Sequence, residues 1–98
     1  MSSNFREIIH SDKPVLVDFY ATWCGPCKTQ APILHEVKSA VGDKVTILKV
    51  DVDKNPVVSN QFHVQSVPTL ILFQKGVVKW RQSGVVSARD LTQLLSRM

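Results

Sequence analysis

The chain has 98 residues, the length of one domain and too few for two independent cores. With 44% hydrophobic and 20% charged residues it falls in the globular range, which excludes a disordered chain. Twelve Lys and Arg against eight Asp and Glu leave a net charge of +4, but the basic residues are scattered, so no nucleic-acid arm and no polybasic membrane patch is expected.

Asn4 followed by Glu7 resembles a capping box, and Phe5, Ile8 and Ile9 stand at i, i+3 and i+4, predicting a first helix over residues 4–10. Ser11-Asp12-Lys13-Pro14 reads as a turn. Residues 15–20 are β-branched and aromatic in an almost unbroken run, the pattern of a strand covered on both faces. A helix then runs from the Cys24–Cys27 segment to about Val41, with Leu34, Val37 and Val41 on one stripe, Pro32 as a kink and Gly42 as its stop. Residues 45–50 form a second strand, and Asn55-Pro56 opens a short helix ending near Phe62. Residues 69–73 and 77–80 are two strands joined by a tight turn at Lys75-Gly76, hence a hairpin. Ser87 with Asp90 is a second capping box, and Leu91, Leu94, Leu95 and Met98 give a clean amphipathic helix. The order α-β-α-β-α-β-β-α predicts a single α/β domain over residues 1–98. Its mixed sheet has about four strands, the first two parallel and the last two an antiparallel hairpin, with helices on both faces. No apolar run approaches a membrane span and the N-terminus lacks the apolar stretch of a signal peptide, so the cytoplasm is the expected compartment.

Cys24 and Cys27 are the only cysteines. A bridge between them closes too small a loop to stabilise the fold much, so their spacing points to chemistry. The pair directly follows a buried strand and opens a helix. Cys24 at the helix N-terminus meets unpaired backbone N–H groups and the positive end of the macrodipole, which favour a thiolate. Cys27, three residues on, shares its helix face and reaches the first sulfur. Cys24 is therefore the attacking thiol, expected nearer solvent, and Cys27 the shielded, resolving one. Gly25 permits close approach of another backbone and Pro26 fixes the first turn. Neither adds charge to the thiolate, which argues for a reductant. A metal site is the weaker alternative, because zinc needs four ligands and no second Cys pair exists.

Residues 17–28, Val-Asp-Phe-Tyr-Ala-Thr-Trp-Cys-Gly-Pro-Cys-Lys, resemble the active-site signature of the thioredoxin family. Ala31-Pro32-Ile33-Leu34, residues 50–56 and Val67-Pro68-Thr69-Leu70 continue the resemblance in order and spacing over nearly the whole chain. It implies a protein-disulfide reductase with no bound cofactor beyond the redox-active Cys24–Cys27 pair. Its partners would be an NADPH-dependent flavoprotein reductase and disulfide-containing client proteins. By the same resemblance Asp18 is the buried proton acceptor and donor behind the thiols, a role suited to a carboxyl whose pKa burial raises. Lys49 would be its counter-charge, and Pro68 a cis-proline facing the dithiol, leaving the Val67 backbone free to pair with an extended client segment. Trp23, Gly25, Pro26, Val52, Val67, Gly84 and Val85 would form the rim that receives clients.

The chain departs from the family in places. Only Met1-Ser2-Ser3 precede the first helix where the family has a strand, so residues 45–50 are expected to form an open sheet edge, guarded by Lys44 and Lys49. A monomer is expected, with dimerisation through that edge as the alternative. Tyr20 replaces a tryptophan, and His63 and Ser66 stand where glycine is common. A binding or chaperone module with incidental thiols is the rival reading from another class. Activity surviving loss of both cysteines would favour it.

Overall fold

The computed structural model describes residues 2–98, with side chains from residue 4 onward; Met1, the first residue of the expected 1–98 domain, lies outside them. The elements are α1 (Ser2–Ile9), β1 (Val15–Tyr20), α2 (Gly25–Val41), a 3-10 turn (Gly42–Lys44), β2 (Thr46–Asp51), α3 (Pro56–Gln61), β3 (Thr69–Gln74), β4 (Val77–Ser83) and α4 (Ala88–Ser96). The sheet order is β2-β1-β3-β4, with β1/β2 parallel and β1/β3 and β3/β4 antiparallel.

β1 lies inside the sheet and is buried from Val15 to Phe19, as its unbroken apolar run requires. Val15, Val17 and Phe19 face Phe5 and Ile9 of α1, Val58 of α3, and Ile71 and Phe73 of β3. Leu16 belongs to the opposite layer, with Leu34 and Val37 of α2, Leu70 and Leu72 of β3, and Leu91 and Leu95 of α4. The sheet thus separates two apolar layers, one under α1 and α3, the other under α2 and α4.

Three local readings need correction. α1 begins at Ser2, so Asn4 and Glu7 lie within the helix instead of capping it, and Ile8 points outward at 36% exposure. α4 is capped as expected, Ser87 Oγ accepting from the Asp90 amide at 3.1 Å, but it ends at Ser96, which leaves Met98 off its apolar stripe and exposed. β4 continues to Ser83, three residues beyond the expected end. Its alternation is broken by a bulge, Leu72 pairing with Trp80 while Phe73 pairs with Val78, so its later residues fall out of step with a simple period-two reading. The turn before it has positive φ at both Lys75 (54°) and Gly76 (79°), the geometry that suits the twist of a hairpin. The imidazole of His10 packs on Gly76 so closely that a Cβ there would stand 2.5 Å from it.

Candidate active site

β1 delivers the chain through Ala21-Thr22-Trp23 to Cys24, which is the N-cap of α2 with extended backbone angles (φ −90°, ψ 117°). Its amide donates to Ala21 O at 3.2 Å, closing the turn. Cys24 and Cys27 are joined as a disulfide with Cα atoms 5.3 Å apart. The Cys27 amide donates to Cys24 Sγ at 3.1 Å, so this sulfur takes the place of a capping oxygen. A thiolate there gains from an orphan N–H and from the helix dipole, and Cys27, inside the first turn, has no such position.

The expected contrast in exposure does not hold in this oxidised state. Cys24 is 3% and Cys27 5% exposed, because the bonded sulfurs cover one another and Tyr20, Ala21, Val52 and Val67 pack around both. The two sulfurs differ in hydrogen bonding instead.

Across from the pair, the Val67–Pro68 bond is cis, and Val67 O lies 3.6 Å from Cys24 Sγ. The loop is held from both ends: Gly84 N–H donates to Pro68 O at 2.9 Å, and Thr69 Oγ1 bonds Ser66 O at 2.7 Å and Ser83 Oγ at 3.0 Å. Trp23, 70% exposed, stands beside this loop with its indole N–H on Asp53 Oδ2 at 2.8 Å. Trp23, Val52, Val64, Gln65, Ser66 and Val67 enclose a hollow of about 130 Å3. Gly84 and Val85 are exposed beyond Pro68, and Gly25 and Pro26 are exposed at the start of α2, where a Cβ on Gly25 would meet nothing.

Asp18 follows Leu16 on the face of β1 toward α2. It is fully buried, and neither carboxylate oxygen has a hydrogen-bond partner. Burial lifts its pKa from the usual 3.8 to about 6, against a smaller opposing pull from Lys49. Lys49 is its register neighbour on β2, but the exposed ammonium sits over the Tyr20 ring, 4.5 Å from the centroid. Lys49 thus acts on Asp18 through its field, without a hydrogen bond, and Tyr20 supplies an aromatic face for its charge.

Two supporting residues escaped the sequence reading. Gln30 is fully buried and bonds both the N–H and the C=O of Val86, fixing the segment that carries Gly84 and Val85. Its signal was available: Cys27, Gln30, Leu34 and Val37 form the buried stripe of α2, with one polar member. Asp51 Oδ1 accepts from the amides of Asp53 and Lys54 at 2.9 and 3.3 Å, shaping the turn that presents Asp53 to Trp23. Among the described residues no group of three His, Cys, Asp or Glu is arranged to hold a metal ion.

The sequence model of the Thioredoxin family matches residues 1–97. The chain belongs to the thioredoxin family. A thioredoxin of Alicyclobacillus acidocaldarius is 55% identical over 74 residues, which cover 76% of this chain and 70% of that one. Part of a bifunctional thioredoxin reductase/thioredoxin of Mycobacterium leprae is 53% identical over 75 residues, 76% of this chain and 16% of that one. Among solved structures, oxidised mitochondrial thioredoxin 3 of Saccharomyces cerevisiae is similar with a TM-score of 0.88 and 32% identity, over 99% of this chain and 90% of its own. A thioredoxin domain bearing a Cys24–Cys27 disulfide is a thiol–disulfide oxidoreductase, of the protein-disulfide reductase class. Among the described residues no helix is long and apolar enough to cross a membrane.

Proposed function

We propose that Cys24 is the nucleophile and Cys27 the resolving thiol of a reductant cycle that delivers two electrons to client proteins. The Cys24 thiolate attacks one sulfur of a client disulfide, forming a mixed disulfide and expelling the other client sulfur as a thiolate that takes a proton from water. Asp18 accepts the proton of Cys27, whose thiolate attacks Cys24 Sγ. The Cys24–Cys27 bond forms, the mixed disulfide breaks, and the second client thiolate leaves and is protonated. The observation that carries the assignment of Cys24 is the Cys27 amide on its sulfur at 3.1 Å. Asp18 suits its part because its pKa of about 6 keeps it a competent base near neutrality, with Lys49 limiting the rise.

In this reading clients lie along the cis Val67–Pro68 segment, with backbone groups of Val67 pairing to an extended chain. Trp23, Val52, Gly84 and Val85 give them an apolar surface, and Gly25 and Pro26 leave the approach to Cys24 uncluttered. The spent disulfide is returned to the dithiol by an NADPH-dependent flavoprotein reductase, a partnership suggested by the Mycobacterium leprae relative, whose name joins both activities in one chain. The protein works as a monomer in the cytoplasm, the compartment where a dithiol reductant is kept reduced.

Reduction of a disulfide-bonded protein with dithiothreitol as electron source tests the cycle. Cys24→Ser should fall to the uncatalysed rate, and Cys27→Ser should accumulate a covalent adduct with the mass of enzyme plus client. Turnover by Cys24→Ser equal to wild type would remove the assignment.

A further inference from the structure

β2 ends the sheet, with β1 on one side and no strand on the other among the described residues. The amides of Thr46 and Val52 donate to Pro14 O and Tyr20 O, each at 2.9 Å. By the alternation of a ladder, Ile47 and Lys49 therefore aim their N–H and C=O groups away from β1. Both ends of this edge are closed by the chain itself. Lys38 Nζ donates to Val45 O at 3.0 Å, and the backbone and side-chain nitrogens of Asn55 donate to Asp51 O at 3.0 Å each. A short open window at Ile47 and Lys49 is left.

Beside that window lies a hollow of about 220 Å3 between α2 and β2, lined by Ala31, Leu34, His35, Lys38, Ile47 and Lys49. Its floor is apolar and its rim basic. Among the described residues neither ammonium is hydrogen-bonded to a carboxylate: Lys38 meets the carbonyls of Gly42 and Val45, and Lys49 the Tyr20 ring, with the buried Asp18 reaching Lys49 only through its field. Lys44 adds a further cation just before β2. Unpaired backbone, an apolar socket and a basic rim thus coincide, and the socket shares no lining residue with the hollow beside Trp23 and Val67.

We propose that this edge docks an extended acidic segment of a partner protein as an added strand. Alternate residues of a strand share a face, so the matching pattern is carboxylate, any residue, apolar, any residue, carboxylate. The apolar side chain enters the socket beside Ile47, and the carboxylates reach Lys49 and Lys38 as cross-strand neighbours. A second copy of this chain is the poorer occupant, since it would bring together two sets of Lys38, Lys44 and Lys49 on chains that each carry +4.

The experiment titrates 15N-labelled oxidised protein with a capped heptapeptide, Thr-Glu-Thr-Leu-Thr-Glu-Thr, and with its counterpart carrying Lys in place of both Glu. The acidic peptide should give saturable shifts at Ile47, Lys49 and the α2 residues of the socket, with slowed amide exchange at Ile47 and Lys49. The Lys peptide should bind at least about tenfold more weakly, as should the acidic peptide to Lys49→Glu. Binding of the Lys peptide to Lys49→Glu should recover, which separates lost charge from lost fold. Absence of saturation, equal binding of the two peptides, or shifts centred on Trp23 and Val67 would overturn the proposal. So would the same Ile47 and Lys49 shifts on concentrating the protein alone, which would assign the edge to a second copy.

Discussion

Gln30 grips Val86 twice: its Nε2 donates to the Val86 carbonyl at 3.0 Å and its Oε1 accepts from the Val86 amide at 2.8 Å. Gln30 is fully buried and Val86 is 4% exposed, so water is a poor substitute for either bond. Gln30→Met keeps the length of the side chain and strands two backbone groups, at about 1–3 kcal/mol each. A loss of about 2–6 kcal/mol is expected in urea unfolding, as a lower midpoint with an unchanged slope. Because Gly84 and Val85 immediately precede Val86, KM for a protein client should rise more than kcat falls. An unchanged KM would confine Gln30 to stability alone.

This clamp also marks where the sequence stopped being informative. β1 could be read to the residue, because a short β-branched and aromatic run follows the turn at Pro14 and stops before the cysteine segment. The cysteines could be placed at a helix start because a buried strand precedes them and the Gly25-Pro26 between them suits a first turn. The partner of a buried glutamine could not be read, since Val86 lies 56 residues away and offers only its backbone. The end of β4 was hidden by its bulge. The near-equal burial of the two cysteines was missed for another reason: spacing along a helix says which side chains share a face, while their cover comes from Tyr20, Val52 and Val67 on other elements.

Asp18 makes stability depend on pH in a stated direction. In the native protein it keeps its proton up to about pH 6, whereas an ordinary aspartate gives it up near 3.8. Between those values the folded state binds more protons than the unfolded chain, so stability falls as pH rises through that window and is level above it. Asp18→Asn has no proton to lose. It should match wild type below about pH 4 and exceed it at pH 7 by up to about 3 kcal/mol. The same variant should slow resolution of the mixed disulfide at least about tenfold at pH 7 in single-turnover mixing. A variant no more stable than wild type at pH 7 would count against a strained carboxylate.

Lys49→Met tests the field of the lysine separately. Lys49 lowers the Asp18 pKa, so its removal should move the upper end of that window above pH 6 and carry the pH–rate profile for resolution in the same direction. A profile that stays in place would make the Lys49 ammonium irrelevant to Asp18 and leave it as a partner of Tyr20.

Trp23 depends on Asp53 for its orientation. Their hydrogen bond, 2.8 Å long, joins two exposed side chains, so its worth to stability is small, about 0.5–1 kcal/mol. Its effect should appear at the rim instead. Asp53→Ala frees the indole from one fixed pose, and KM should rise about threefold while the unfolding midpoint hardly moves. Trp23 fluorescence anisotropy, read in a Trp80→Phe background that leaves Trp23 the single tryptophan, is the independent reading; a value equal to wild type would mean that the ring keeps its pose without Asp53.

His63 and Gly84 should respond in opposite directions to exchange with a small residue. His63 has φ of 56°, a left-handed conformation that costs a residue with a Cβ about 1–2 kcal/mol. Its exposed ring makes little use of the position, while its backbone is engaged, the amide with Asn60 O at 3.1 Å and the carbonyl with Arg81 Nη2 at 2.8 Å. His63→Gly keeps both bonds and relieves the backbone, offset in part by a more flexible unfolded chain. A gain of about 0.5–1 kcal/mol is expected, or a rise of roughly 2–8 °C in Tm for a chain of this size. Gly84 has φ of 88° with open space where a Cβ would stand, so Gly84→Ala meets backbone strain and no clash. It should lower stability by about 1 kcal/mol or more. Because the Gly84 amide holds Pro68 O at 2.9 Å, strain there should also loosen the cis-proline loop and raise KM for clients, an effect that His63→Gly should not share. A fall in Tm for His63→Gly would show that the imidazole, not the backbone, decides the residue at this position.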